Sequence, residues 1–186
     1  MNIKWLVRSQ SIVTLASGMI YPYYLLFLKN LGNSFSKYGL AFAVFTISSA
    51  AASQWLASRM DQQAKQWLIV SAVGMAAAMI SFPWVISYIW VLLLQIIMGI
   101  CNAMQRMSER VLLADYTVAG QRGPAVGNYH FWTAAASGFA VIVGGVLIDW
   151  LTIDVLFYLS AILYMWGALA VWRLRSKPEE QSMAKG

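Results

Sequence analysis

The chain has 186 residues, 60% of them hydrophobic and only 11% charged, with a mean hydropathy of +0.63 and a net charge of +6. A water-soluble domain carries about 25% charged residues, so this chain could not cover its own surface in water. Its basic residues are not clustered among aromatics, so no nucleic acid is expected as a partner.

Asp, Glu, Lys and Arg are absent from residues 9–28, 38–58, 66–105, 123–148 and 155–172. A helix needs about 20 apolar residues to cross a bilayer. Four windows therefore hold one span each. The window 66–105 holds two, broken at Ser81-Phe82-Pro83-Trp84, where proline favours a turn. The predicted fold is all-α integral membrane: a six-span bundle over residues 1–172 and a cytoplasmic tail over 173–186. Its transmembrane helices are expected at about 9–28, 38–57, 66–84, 87–105, 125–148 and 154–172. No cleavable signal peptide is expected, because the first apolar run after Lys4 and Arg8 is a full-length span.

In span 1, Gln10, Thr14, Ser17, Tyr21 and Tyr24 recur at spacings of 4, 3, 4 and 3, on one helical face. A polar stripe along a span should face water or a polar partner. Pro22 removes a backbone hydrogen bond and can kink the helix; Tyr23 points elsewhere and reads as packing. Span 2 carries a run of small residues over 48–53, and span 3 is bulky and apolar. Span 4 has a second stripe: Tyr88, Gln95, Gly99, Asn102 and Arg106. Gln95 and Asn102 suit either interhelical hydrogen bonds or solute contact, and Arg106 reads as a span-end anchor or loop ion pair. Span 5 is again rich in small residues, including Gly138, Gly144 and Gly145, and span 6 is bulky like span 3.

Spans 1 and 4 are thus expected to wall a cavity, with Gln10, Thr14, Ser17, Tyr21, Tyr24, Gln95 and Asn102 facing the solute. Spans 2 and 5 are expected to be close-packing interfaces through Gly138, Gly144 and Gly145. Spans 3 and 6 are expected to be peripheral, lipid-facing supports. Each role recurs every three spans, which predicts two inverted three-helix repeats.

Six spans place Lys4, Arg8, Arg59, Lys65, Arg106, Arg110, Arg122, Arg173, Arg175, Lys177 and Lys185 on one side, against Lys29 and Lys37 on the other. Lys and Arg mark the cytoplasmic side, so an N-in/C-in chain in the cell membrane is predicted. Tryptophan agrees: Trp5, Trp55, Trp67, Trp132 and Trp172 fall at one set of span ends, and Trp84, Trp90 and Trp150 at the other.

The acidic residues Asp61, Glu109, Asp115, Asp149, Asp154, Glu179 and Glu180 are all assigned to loops, span ends or the tail. A coupling carboxylate would then have to come from a partner, or transport would be uncoupled or differently coupled. His130 lies seven residues before Ser137, roughly 10 Å along a helix, which excludes a Ser–His dyad. There is no Cys/His cluster with zinc spacing and no Gly-x-x-x-x-Gly-Lys; Cys101 is a lone thiol. No enzyme, metal or cofactor is expected.

The loop after span 4 reads Leu113-Ala114-Asp115-Tyr116-Thr117, and Arg122-Gly123-Pro124-Ala125-Val126-Gly127 enters span 5. With that passage and the threefold pattern of roles, the chain resembles the amino-terminal half of the major facilitator superfamily of secondary transporters, over about residues 5–172. The resemblance implies that spans 1 and 4 line a substrate path, that 2 and 5 meet another half, and that 3 and 6 lie outside. The loop 2–3 signature Gly-x-x-x-Asp-x-x-Gly-Arg-Lys/Arg falls on Ala57, Asp61, Ala64, Lys65 and Gln66. A second register uses residues 56–61. The resemblance therefore implies a charged latch or gate at Arg59, Asp61, Lys65, Asp115 and Arg122. Span 4 has Gln95 where many proton-coupled members carry arginine, and Ala140-Val141-Ile142-Val143-Gly144-Gly145 lacks the proline of the antiporter signature. Both departures weigh against a drug–proton antiporter.

The expected function is transport of a small organic solute by alternating access. The chain would act as a half-transporter, a homodimer or one partner half in the lipid bilayer. The alternatives are an incomplete piece of a twelve-span transporter, with the tail as the start of a central loop, or a non-transporting membrane scaffold. The aromatic and amide stripe suits a neutral or amphipathic solute better than a strongly charged one.

Overall fold

The computed structural model describes residues 3–24, 27, 34–117 and 120–173, with the side chains of residues 61 and 62 excepted. The tail from residue 174 onward lies outside them. Six long helices account for most of the described chain: α1 (Ile3–Ile20), α2 (Phe35–Leu56), α3 (Met60–Ser81), α4 (Tyr88–Asp115), α5 (Arg122–Trp150) and α6 (Ile153–Trp172). Helices are required here because hydrocarbon offers no partner to an unpaired backbone N–H or C=O.

The breaks have local causes. α1 stops at Ile20 and the chain turns over residues 21–23, around Pro22, before Tyr24 is helical again. Pro83 sits in a short 3₁₀ turn (Phe82–Trp84), after which Val85 is extended. Between α4 and α5 the chain turns through Gly120 at φ +92°, a conformation that favours a residue without Cβ. Five stretches are long and apolar enough to cross a membrane: Phe35–Arg59, Gln63–Trp84, Tyr88–Asp115, Arg122–Trp150 and Ile153–Trp172. α1 has 18 residues with Lys4 and Arg8 among them, and its continuation past Pro22 lies largely outside the described residues.

The helices pack as a chain of neighbours: α2 on α4, α4 on α3, α3 on α6, α6 on α1 and α1 on α5. α1 and α4 scarcely touch, so the bundle is a cup with α2 and α5 at its two rims. Leu6 and Val171 share a cluster with Ala64, Leu68 and Leu112, so the described chain begins and finishes at one end of the bundle, the termini end. The opposite end is closed by rings: Phe82 stacks on Phe157 at 4.9 Å, and Phe27 meets both edge-on at 5.5 and 5.2 Å. Aromatic pairs of this kind add about 0.5–1.5 kcal/mol beyond their area.

The roles expected of spans 3 and 6 need correction. α3 and α6 form the back wall of the cup and supply some of its largest buried side chains, among them Met75, Met79, Phe157 and Tyr164, with Phe82 of the turn after α3 beside them. Only their outer stripes, such as Val70, Val73, Ile162 and Leu169, are exposed. α2 and α5, by contrast, each bury only three residues.

Close approach decides the rims. A Cβ on Gly99 would lie 2.5 Å from the Phe45 carbonyl oxygen and 2.9 Å from Ser48 Cβ, so α2 rests on the bare backbone of α4. At Gly144 a Cβ would meet Met19 O at 3.0 Å and the Tyr23 ring at 2.9 Å, and at Gly145 the Tyr23 hydroxyl at 2.7 Å. Tyr23 fills that notch and donates to the Val141 carbonyl at 2.7 Å. Gly138, expected in the same packing role, faces open space. Gly99→Val should lower stability by about 1–3 kcal/mol, the usual cost of overpacking, whereas Gly138→Val should leave it unchanged. Thermal unfolding of the purified chain in detergent checks the pair, and equal midpoints would contradict the α2–α4 contact.

Candidate solute cavity

The gap between α1 and α4 is a cavity of about 640 Å³ backed by α3 and α6. Of the residues expected to face a solute, Thr14, Ser17, Tyr21 and Asn102 line it. The α1 stripe reaches the gap because α6 and α5 occupy the other sides of α1. Tyr164 from α6 joins the wall. Away from the termini end, Phe42, Phe45 and Met75 give the cavity an apolar wall, and the Tyr21 ring meets Phe45 edge-on at 6.3 Å.

Gln10, Tyr24 and Gln95 do not line it. Gln95 and Tyr24 are buried against each other, with Gln95 Nε2 donating to the Tyr24 hydroxyl at 2.6 Å, beside Tyr38 and Phe82. Of the two roles open for Gln95, the structure uses it as an interhelical link. Gln10 is fully buried; its Oε1 accepts from Gln105 at 3.4 Å and its Nε2 has no partner among the described residues. Asn102 does both jobs: its Nδ2 donates to Ser49 Oγ on α2 at 3.0 Å while it faces the cavity.

The sequence reading missed the termini half of the cavity. It ended span 4 at residue 105, where the charge-free window ends, but α4 runs on to Asp115. That extension brings Gln105, Arg106, Glu109 and Arg110 onto the wall, facing Tyr129 and His130 of α5. Glu109, assigned above to a loop, is a helix carboxylate facing the cavity. Gln105 Nε2 donates to Glu109 Oε1 at 2.9 Å, and Tyr129 lines the cavity opposite. This chain thus has an ionisable group of its own on the cavity wall. Arg106 is a cavity residue, its Nε donating to Asn102 Oδ1 at 3.2 Å. A sequence signal existed: from Asn102 the polar residues continue at fours, Asn102–Arg106–Arg110 and Gln105–Glu109, as an amphipathic helix would.

Of the charged latch residues, Arg59, Lys65, Asp115 and Arg122 lie apart from the cavity. Arg59 stacks over Trp55 at 4.8 Å. The Asp61 side chain lies outside the described residues, and Lys65 is half-buried on α3. Asp115 ends α4 and Arg122 begins α5, both exposed, and no ion pair joins them among the described residues. Among the described residues no cluster of His, Cys, Asp and Glu could hold a metal ion.

An all-helical bundle with membrane-length apolar helices and a polar cavity between two of them is the architecture of a membrane transporter. Comparison with known proteins agrees. Residues 7–185 match the Major Facilitator Superfamily, and the chain belongs to that family. It is 36% identical over 159 residues to the uncharacterized MFS-type transporter YitZ of Bacillus subtilis (strain 168), a match covering 85% of this chain and 97% of that relative. The chain is therefore a multi-pass membrane protein of the transporter class.

Gln10 and Gln95 are buried amides in opposite circumstances. Gln10→Leu removes an unpaired donor and should hold or raise stability. Gln95→Leu strips the buried Tyr24 hydroxyl of a partner and should cost about 1–3 kcal/mol. Thermal midpoints of the two variants check this, and a larger loss for Gln10→Leu would refute it.

Proposed function

We propose that the chain moves a small organic solute across the cell membrane by alternating access, supplying one of two six-helix bundles that rock about a shared central site. One observation carries the reading: the polar cavity between α1 and α4 is walled on three sides only and opens between the rims α2 and α5. A transport site needs its fourth side closed and opened in turn, and a second bundle against the rims would do this.

Three further points support it. The rims present apolar side chains to the outside, as at Ile47 and Trp55 on α2 and Phe139, Ile142 and Val146 on α5, and few of their residues are buried within the bundle. The neighbour order maps onto itself when α1, α2 and α3 are exchanged with α4, α5 and α6, which is the pattern that two inverted three-helix repeats would give. The relative YitZ matches over 97% of its length, so it too has the size of one bundle. The Lys/Arg bias supports a cytoplasmic termini end, and the cavity would then face inward. The partner is a second copy or a non-identical half.

Two experiments test this. In a Cys101→Ser background, Ile142→Cys on the α5 rim should form disulfide dimers on oxidation in membranes, and Ile162→Cys on the back of α6 should not. Equal cross-linking would sink the rim interface between copies. Proteoliposomes holding the full chain should accumulate members of a mixed pool of small organic solutes, read by mass spectrometry. Tyr21→Ala and Asn102→Ala should each cut that uptake at least tenfold, while Ile162→Ala should not alter it. Flux that survives both cavity changes would show that the solute passes elsewhere.

A further inference from the structure

We propose that the cavity takes an amphipathic organic anion, a monocarboxylate with an apolar or aromatic body, and that Arg106 reads its charge. This rests on the transport reading of the same cavity and names its substrate class.

The argument begins with charge. Arg106 and Arg110 face one carboxylate, Glu109, on the cavity wall. Glu109 is already served by a protein donor, Gln105 at 2.9 Å. Arg106 is not matched in the same way. It uses one of its five N–H groups, Nε to Asn102, and its other N–H groups have no hydrogen-bond partner among the described residues. Arg106 is exposed in the open cavity, and its planar fork fits a carboxylate through two parallel bonds. A cationic solute would confront two guanidiniums.

Orientation comes next. A long cationic side chain at a span end ordinarily extends toward the headgroups. Arg106 is instead tethered on the cavity wall by Asn102, which is itself held by Ser49 across the α2–α4 contact. The relay fixes the direction of the guanidinium before any solute arrives.

The rest of the cavity gives the body of the solute. Beyond Arg106 the wall is Tyr21, Phe42, Phe45, Met75 and Tyr164. A charged head and an aromatic slot thus adjoin. A volume of about 640 Å³ lies within the roughly 300–1,000 Å³ of small-molecule pockets.

The test uses the full chain in nanodiscs of neutral phosphatidylcholine, with radiolabelled 4-phenylbutyrate as the probe. Binding should saturate. A hundredfold excess of 4-phenylbutyramide or 4-phenylbutylamine should displace it at least tenfold less well than the unlabelled acid. Arg106→Gln should weaken binding at least tenfold; Arg106→Lys, which keeps the charge but loses the fork, should weaken it less. Glu109→Gln, removing the one negative charge, should tighten it. Displacement by the amide as effective as by the acid, or unchanged binding in a folded Arg106→Gln chain, would overturn the proposal. So would loss of the probe when phosphatidylglycerol is added to the nanodiscs, which would make the occupant a lipid headgroup. Binding needs one bundle only, so the two readings fail separately. Arg106-dependent binding with no flux in proteoliposomes would remove the transport reading and leave the anion site. Flux of neutral or cationic solutes without 4-phenylbutyrate binding would do the reverse.

Discussion

In hydrocarbon a helix gains nothing by hiding apolar surface from lipid that is as apolar as itself, so helix positions follow from where backbones can come close. Here that occurs chiefly in two places. Gly99 lets the α2 backbone rest on α4, and Gly18 and Gly144 let α5 rest on α1, against Ala140, Met19 and Tyr23. The two contacts draw the rims onto α4 and α1 and leave α1 and α4 apart. α3, the turn after it and α6 then fill the back with Phe82, Phe157 and Tyr164. The cavity is the space these contacts leave.

Its polar groups are arranged in linked sets that cross helix boundaries. Ser49, Asn102 and Arg106 join α2 to the α4 wall, and Gln105 reaches across from α4 to Gln10 of α1. In low dielectric such bonds are stronger than in water and an unpaired member is more costly. Along α4, Gln105 also holds Glu109, which faces Tyr129 and His130 of α5 across the cavity.

Much of the fold could be read from residues alone because the signals were local. The break at Pro83, the turn at Pro22 and the long charge-free windows each reflect the chemistry of a short segment. The α1 stripe was also legible, and Thr14, Ser17 and Tyr21 lie on the cavity. Reading failed where a residue's partner lay on another helix. Tyr24 and Gln95 belong to their stripes but bond to each other, because the helix ends converge beside Phe82. Glu109 was assigned to a loop because a span was ended at its first charge. A helix facing a polar cavity can continue through charged residues, since that face never meets lipid.

The sequence by itself determined that the chain is helical and lies in a membrane, where its helices break, and which helices carry polar stripes. These follow from the free energy of moving each segment into lipid, a sum over neighbouring residues. Only the tertiary structure decided which stripe residues face a cavity and which bond to one another, that Tyr164 and Tyr129 belong to its wall, and that Arg106 lies beside an aromatic slot. A cavity is bounded by helices distant in sequence, and its shape depends on which backbones approach within van der Waals distance. That depends on pairs of surfaces, which no single segment encodes.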